Sequence, residues 1–299
     1  MAHKSNKVFL IVAILGGAVA INFLYGRGEN NSSLIPDIYV SSYDLVQADT
    51  LLVVVKNEPE EITAKLGSVK MHFFRSENNK DWVSIVGIAI NKTPGDYRLL
   101  VDIPGRAIFE KSIAVSKREF RMTKMLITPK LSSEGYTAEK IIENIENKEN
   151  NALKKVLDVL SPTAYFNSPF IYPLSEIGVV GLFGDIRATE NYQIQHLGVD
   201  LKASISTPVY AVNNGRAVFI ESLPDYGNTI IIDHGLGIYS LYLHLAEFKV
   251  AIDQMVEQGD LIGLSGDTGY SISPHLHFSI KVRGAALDPL RFIKTTQAN

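Results

Sequence analysis

The sequence predicts a mainly β chain, with an antiparallel C-terminal domain, a small β-sandwich ahead of it and a helix between. Three observations carry that reading. From Asp37 to about Pro129 short β-branched runs alternate with turn signals. After residue 170 longer strand-like runs are punctuated by glycine, and between these regions Thr137 to Leu160 has helical periodicity. A length of 299 residues suits about two domains.

Residues 1–29 are expected to be a membrane anchor or signal sequence. Lys4 and Lys7 precede an apolar run of 18 residues from Val8 to Tyr25, interrupted only by Asn22 and followed by the polar stretch Gly26 to Ser33. A spanning helix needs about 20 apolar residues, and basic residues before the run favour a cytoplasmic N-terminus with the remainder exported. Ala18-Val-Ala20 resembles a cleavage site but lies inside the run, so an uncleaved anchor is favoured. Inner-membrane anchoring facing the periplasm is the expectation, or secretion to the periplasm if the segment is cut.

Residues 30–131 read as a β-sandwich accessory domain. Thr50 to Lys56 and Val83 to Ile90 are rich in β-branched residues, and Lys92-Thr-Pro-Gly-Asp96 is a turn before the strand Tyr97 to Ile103. The single Trp82 is expected to anchor a core or an edge. Residues 132–165 read as a helical linker whose apolar stripe, Ile141, Ile145, Leu153, Val156, Leu157 and Leu160, must rest on a domain. Residues 166–299 form the C-terminal β-domain, with strands near 217–221, 229–233, 238–244 and 275–282.

Net charge is −3 with 20% charged residues, so no basic field points to nucleic acid. There is no cysteine, which excludes disulfides and thiolate ligands. Histidine is the informative residue. Five of seven, His196, His234, His244, His275 and His277, fall in the last 104 residues. In an extended strand His275 and His277 share a face, as do His196 and Asp200 if the chain between them stays extended. Two such strands could aim three or four ligands at one point. Zinc accepts imidazole nitrogen at about 2.0–2.1 Å and carboxylate oxygen at about 2.0–2.2 Å, and catalytic sites use about three protein ligands. His234, where a strand meets a glycine turn, is expected to be structural, as is His72 in an N-terminal strand; His3 has no evident partner.

The region from Ile171 to Phe292 closely resembles the lysostaphin-type, or LytM-like, zinc metalloendopeptidases of peptidoglycan. The resemblance runs through Phe183-Gly-Asp-Ile-Arg187, His196-Leu-Gly-Val-Asp200, Thr207-Pro-Val-Tyr-Ala211, Asn214-Gly-Arg-Ala-Val218 and Tyr226-Gly-Asn228. It continues through Ile232-Asp-His-Gly235, Leu241-Tyr-Leu-His-Leu245, Gly266-Asp-Thr-Gly269, Pro274-His-Leu-His-Phe278 and Asp288-Pro289. It implies a LytM-type (duplicated hybrid motif) fold, with His196, Asp200 and His277 as metal ligands and His244 and His275 as catalytic histidines. Tyr192 is the nearest match to a tyrosine that some members use. Ser206 and Ser273 stand where many members have glycine.

The implied activity is zinc-dependent endopeptidase cleavage of peptidoglycan cross-links or stem peptides, D,D-endopeptidase first. The metal would acidify a water from pKa 15.7 to about 7 and polarise the scissile carbonyl. The two other histidines would shuttle its proton. Alternatives are a groove-binding regulator or activator of another cell-wall hydrolase, or an autoinhibited peptidase. The expected partners are peptidoglycan peptides, the cytoplasmic membrane through the N-terminal segment, and a regulatory protein.

Overall fold

A computed structural model describes residues 35–58 and 61–298. The segment 1–29 and His3 lie outside the described residues. Among those described, no helix is long and apolar enough to cross a membrane.

Two sheets face one another in the N-terminal half. One has four strands in the order Ile38–Val40, Thr50–Val55, Trp82–Gly87 and Phe74–Arg75; the other has five, Asp44–Val46, Phe109–Ser116, Gly95–Asp102, Thr63–Leu66 and Val69–Lys70. Alternate residues of both, including Leu51, Val53 and Val55 against Leu99, Val101 and Ile113, form one buried core. Trp82 packs at the margin of that core, donates from Nε1 to the Glu58 carbonyl at 3.1 Å and carries Arg75 on its ring. His72 falls between Val69–Lys70 and Phe74–Arg75 rather than within a strand. The sandwich is tied to the C-terminal half by Arg118 on Asp288 at 2.7 Å and Arg291 on Asp49 at 2.6 Å.

The helical stretch is shorter and less regular than its periodicity predicts. Thr137 caps it by accepting from the Lys140 amide. An α-helix Ala138–Asn144 passes into a π-helical turn Ile145–Glu149 and then an α-helix Asn150–Leu157. Leu160, expected in the apolar stripe, lies beyond the last turn and is 53% exposed. Leu153 and Leu157 pack on Phe219, Ile231, Tyr239, Leu241 and Leu243 of the C-terminal sheet. Ile141, Ile142 and Ile145 pack with Tyr270, Tyr192 and Ile194.

The C-terminal sheet is built on the antiparallel path Val199–Lys202, His275–Val282, Ile238–Phe248, Gly227–Asp233 and Gly215–Leu223. One face of this path buries Tyr242, Phe278 and Ile280 in the largest core. The other face carries the histidines. Ser206, where the resemblance leads one to expect glycine, has φ 67°, the left-handed region that glycine adopts freely.

Candidate metal centre and its histidines

Pairing places Asp200 opposite His277 and Leu243 opposite His277, so three adjacent strands meet at one level of the sheet. His275 and His277 share a face as the period of two requires. His196 arrives differently. It sits in an irregular stretch between Gln193–Gln195 and Val199–Lys202, not in an extended run to Asp200. Gly198 makes this approach possible, because a Cβ there would collide with His277 Nε2 and Ser279 Oγ. A Cβ at Gly181 would likewise run into the Asp200 carboxylate.

His196 Nε2 lies 2.9 Å from Asp200 Oδ1 and 2.9 Å from His277 Nδ1, and His277 Nδ1 lies 3.0 Å from Asp200 Oδ1. Among the described residues these three form the group able to hold a metal ion. Their remaining polar atoms are already engaged. His196 Nδ1 donates to the Leu182 carbonyl at 2.7 Å. Ser279 Oγ donates to the Leu197 carbonyl at 2.9 Å and can therefore accept from His277 Nε2, also at 2.9 Å. Both imidazoles thus turn bare lone pairs toward each other and toward a carboxylate oxygen. That constellation is repulsive unless a cation sits among the three atoms, so the donor set fits a metal.

Asp200 is fixed by a residue that the sequence reading did not single out. Arg187, on the strand Ile186–Ala188, places one Nη 2.6 Å from Asp200 Oδ2, leaving Oδ1 for the metal side. Burial acts to raise the Asp200 pKa, but with no metal present a proton taken up on the facing nitrogen of His196, His275 or His277 is shared with the carboxylate, which outweighs burial and holds the carboxyl well below its ordinary value.

His244 needs a backbone irregularity to reach the site. Tyr239, Leu241 and Leu243 face the helical segment while Tyr242 faces the main core, so simple alternation would bury His244 beside Tyr242. Instead the strand bulges. His244 has φ 61°, and beyond it the strand leaves His275–Val282 and pairs with Leu261–Ser265. Its ring then lies 4.9 Å from that of His275 and 6.1 Å from that of His277. His244 Nδ1 donates to the Thr268 carbonyl at 2.8 Å and His275 Nδ1 to the Ser273 carbonyl at 2.8 Å. Each therefore keeps a basic Nε2. That of His275 stands 3.4 Å from Asp200 Oδ1.

Burial, then the neighbouring His275 and His277, holds His244 well below the usual imidazole pKa. For His275 burial is outweighed by Asp200 and the pKa is raised. A cavity of about 130 Å³ lies beside the group, lined by His196, His244 and His277 on the sheet and by Ile141, Ile145 and Leu153 on the helical segment.

Two predicted residues stay apart from this group. His234 is fully buried between the Asn214 carbonyl, at 2.7 Å from Nδ1, and Ser240 Oγ, at 2.8 Å from Nε2. Tyr192 packs in the apolar cluster beneath the helices.

The profile of peptidase family M23 matches residues 194–289, the span that contains all five site residues. These residues form an M23 domain. The chain is 40% identical over 96 residues to the peptidoglycan DD-endopeptidase ShyA of Vibrio cholerae serotype O1, covering 32% of this chain and 22% of ShyA. It is 38% identical over 107 residues to lysostaphin of Staphylococcus simulans, covering 33% of this chain and 22% of lysostaphin. The chain thus matches about a fifth of the length of these curated relatives. Beyond the M23 domain the fold itself is shared. A crystal structure from Pseudomonas aeruginosa assigned to peptidase M23 superposes with a TM-score of 0.55 at 24% identity, over 81% of this chain and 92% of that one.

Proposed function

We propose that this protein is a zinc-dependent endopeptidase that hydrolyses peptide cross-links or stem peptides of peptidoglycan in the cell envelope, with D,D-bonds as the first substrate. The observation that carries the reading is the convergence of His196 Nε2, Asp200 Oδ1 and His277 Nδ1 with two further imidazoles beside them. Two neutral nitrogens and one carboxylate suit zinc among the common divalent ions. The ShyA similarity supports the D,D-linkage.

Held by His196, Asp200 and His277, a zinc ion would supply Lewis-acid chemistry, polarising the scissile carbonyl and acidifying a water. His275 and His244 hold Nε2 lone pairs on the same side of the ligand set. One accepts the proton of the attacking water and the pair returns it to the leaving amine as the C–N bond breaks. Backbone carbonyls at Ser273 and Thr268 keep both rings in the tautomer that can do this. Arg187 holds the ligand carboxylate in place through Oδ2.

Purified sacculi treated with the full-length protein, with and without chelator, test the proposal. Mass spectrometry should show dimeric muropeptides converted to monomers only when zinc is present. Equal release after zinc removal, or no release at all, would contradict it.

A further inference from the structure

Five residues at steps of four, Ile141, Ile145, Glu149, Leu153 and Leu157, run along the face that the helical segment turns to the M23 domain, and all are buried. Four are apolar; the central one is an acid only 1% exposed. Steps of four drift by about 40° each on a helix of 3.6 residues per turn. The π turn Ile145–Glu149 takes up the extra residue and brings Glu149 onto the sheet side.

A carboxylate in the middle of an apolar stripe destabilises unless donors meet it. Here two do. Glu149 accepts from the amide of Asp225 at 2.6 Å and from that of Tyr226 at 3.0 Å. Both amides belong to the turn joining Gly215–Leu223 to Gly227–Asp233. The carbonyls of the same two residues serve the site. Tyr226 O accepts from the His244 amide at 3.1 Å, and Asp225 O accepts from the Tyr270 amide at 2.8 Å. Tyr270 follows closely on Thr268, whose carbonyl aims the His244 ring. His244 holds a left-handed backbone, which for a non-glycine residue persists only where its surroundings enforce it.

We infer that Glu149 is a positioning residue for His244. It lies outside residues 194–289 and touches no reacting group, yet it fixes the turn from which both the backbone and the ring of His244 are hung. The helical segment is then part of the working apparatus rather than a spacer or a removable cover. The inference rests on the proton-transfer role given to His244 above.

The test uses the full chain and two readouts: hydrogen exchange at the His244 and Tyr270 amides, and kcat and KM on a cross-linked muropeptide dimer. Glu149→Ala should speed exchange at both amides by roughly tenfold or more. Misplacing a catalytic group by about 1 Å can cost on the order of 100-fold, so kcat should fall by ~10- to 100-fold with KM and zinc content unchanged. Glu149→Gln, nearly isosteric and keeping one acceptor, should lie between the two. Leu157→Ala, which loosens the same helix without touching the turn, should lower stability and leave kcat within about threefold.

Unchanged exchange at His244, a kcat raised by Glu149→Ala, or an equal loss in Leu157→Ala would overturn the inference. If the wild-type protein fails to cleave peptidoglycan, the proposed function fails instead, and the exchange measurements still judge whether Glu149 holds His244.

Discussion

Replacing Arg187 with Met removes the guanidinium that holds Asp200 Oδ2 at 2.6 Å while preserving most of the side-chain volume. The Asp200 side chain is 9% exposed and that of Arg187 29%, so the carboxylate oxygen is left without a donor in a largely dry setting. Removing one partner from a buried ion pair costs about 3–5 kcal/mol, and the partial exposure of Arg187 brings the expectation toward ~2 kcal/mol. Part of this should appear in metal affinity, because an unheld carboxylate can rotate away from the His196–His277 pair. At about 1.4 kcal/mol per decade the whole ~2 kcal/mol is roughly 30-fold, so the part that reaches the metal should weaken zinc binding by between about 3-fold and 30-fold, overlapping the 10- to 100-fold range usual for residues that orient metal ligands. Titration of the metal-free protein with zinc against a competing chelator measures this directly. Arg187→Lys, a single-point donor on a flexible stem, should recover only part of the loss. Zinc affinity within twofold of wild type in Arg187→Met would refute the reasoning.

Two further outcomes follow from the geometry. Gly198→Ala should disrupt the ligand set, since the new methyl meets His277 Nε2 and Ser279 Oγ; a stability loss of about 1–3 kcal/mol and weakened zinc binding are expected, checked by urea unfolding and the same titration. His234 is fully buried, and burial lowers its pKa to about 4 despite the Asn214 carbonyl. The unfolded chain, near 6.5, therefore binds the proton more readily, so stability present above about pH 6.5 is lost as pH falls toward 4, on the order of 3 kcal/mol in all. Unfolding of metal-free wild type and His234→Gln between pH 4 and 7 should show a flatter profile in the variant, and parallel profiles would contradict the assignment.

How much of this was legible in the sequence depends on the kind of contact. The strand carrying His275 and His277 alternates cleanly, and its shared face was readable from period alone. His196 and Asp200 do converge, although the extended run on which their shared face depended is not formed. The approach is an irregular segment admitted by Gly198, not an extended strand, and no local pattern separates the two.

The bulge that turns His244 toward the site is likewise invisible to alternation, which would have sent it into the core. Arg187 acts across two strands, so its partner could not be inferred from spacing. Glu149 was within reach, because it interrupts the stripe Ile141, Ile145, Leu153 and Leu157 at the very step of four where an apolar residue belongs. An acid at such a position calls for buried donors. The expected end of the helix at Leu160 erred because the last apolar residues, Val159 and Leu160, follow the helix and face solvent.

The division of labour between the two neighbouring histidines is the centre of the account, and metal analysis of two single variants tests it most directly. His277→Ala should abolish both zinc binding and peptidase activity. His275→Ala should abolish activity while retaining close to one equivalent of zinc. Zinc lost from both variants, or retained by His277→Ala, would contradict the assignment.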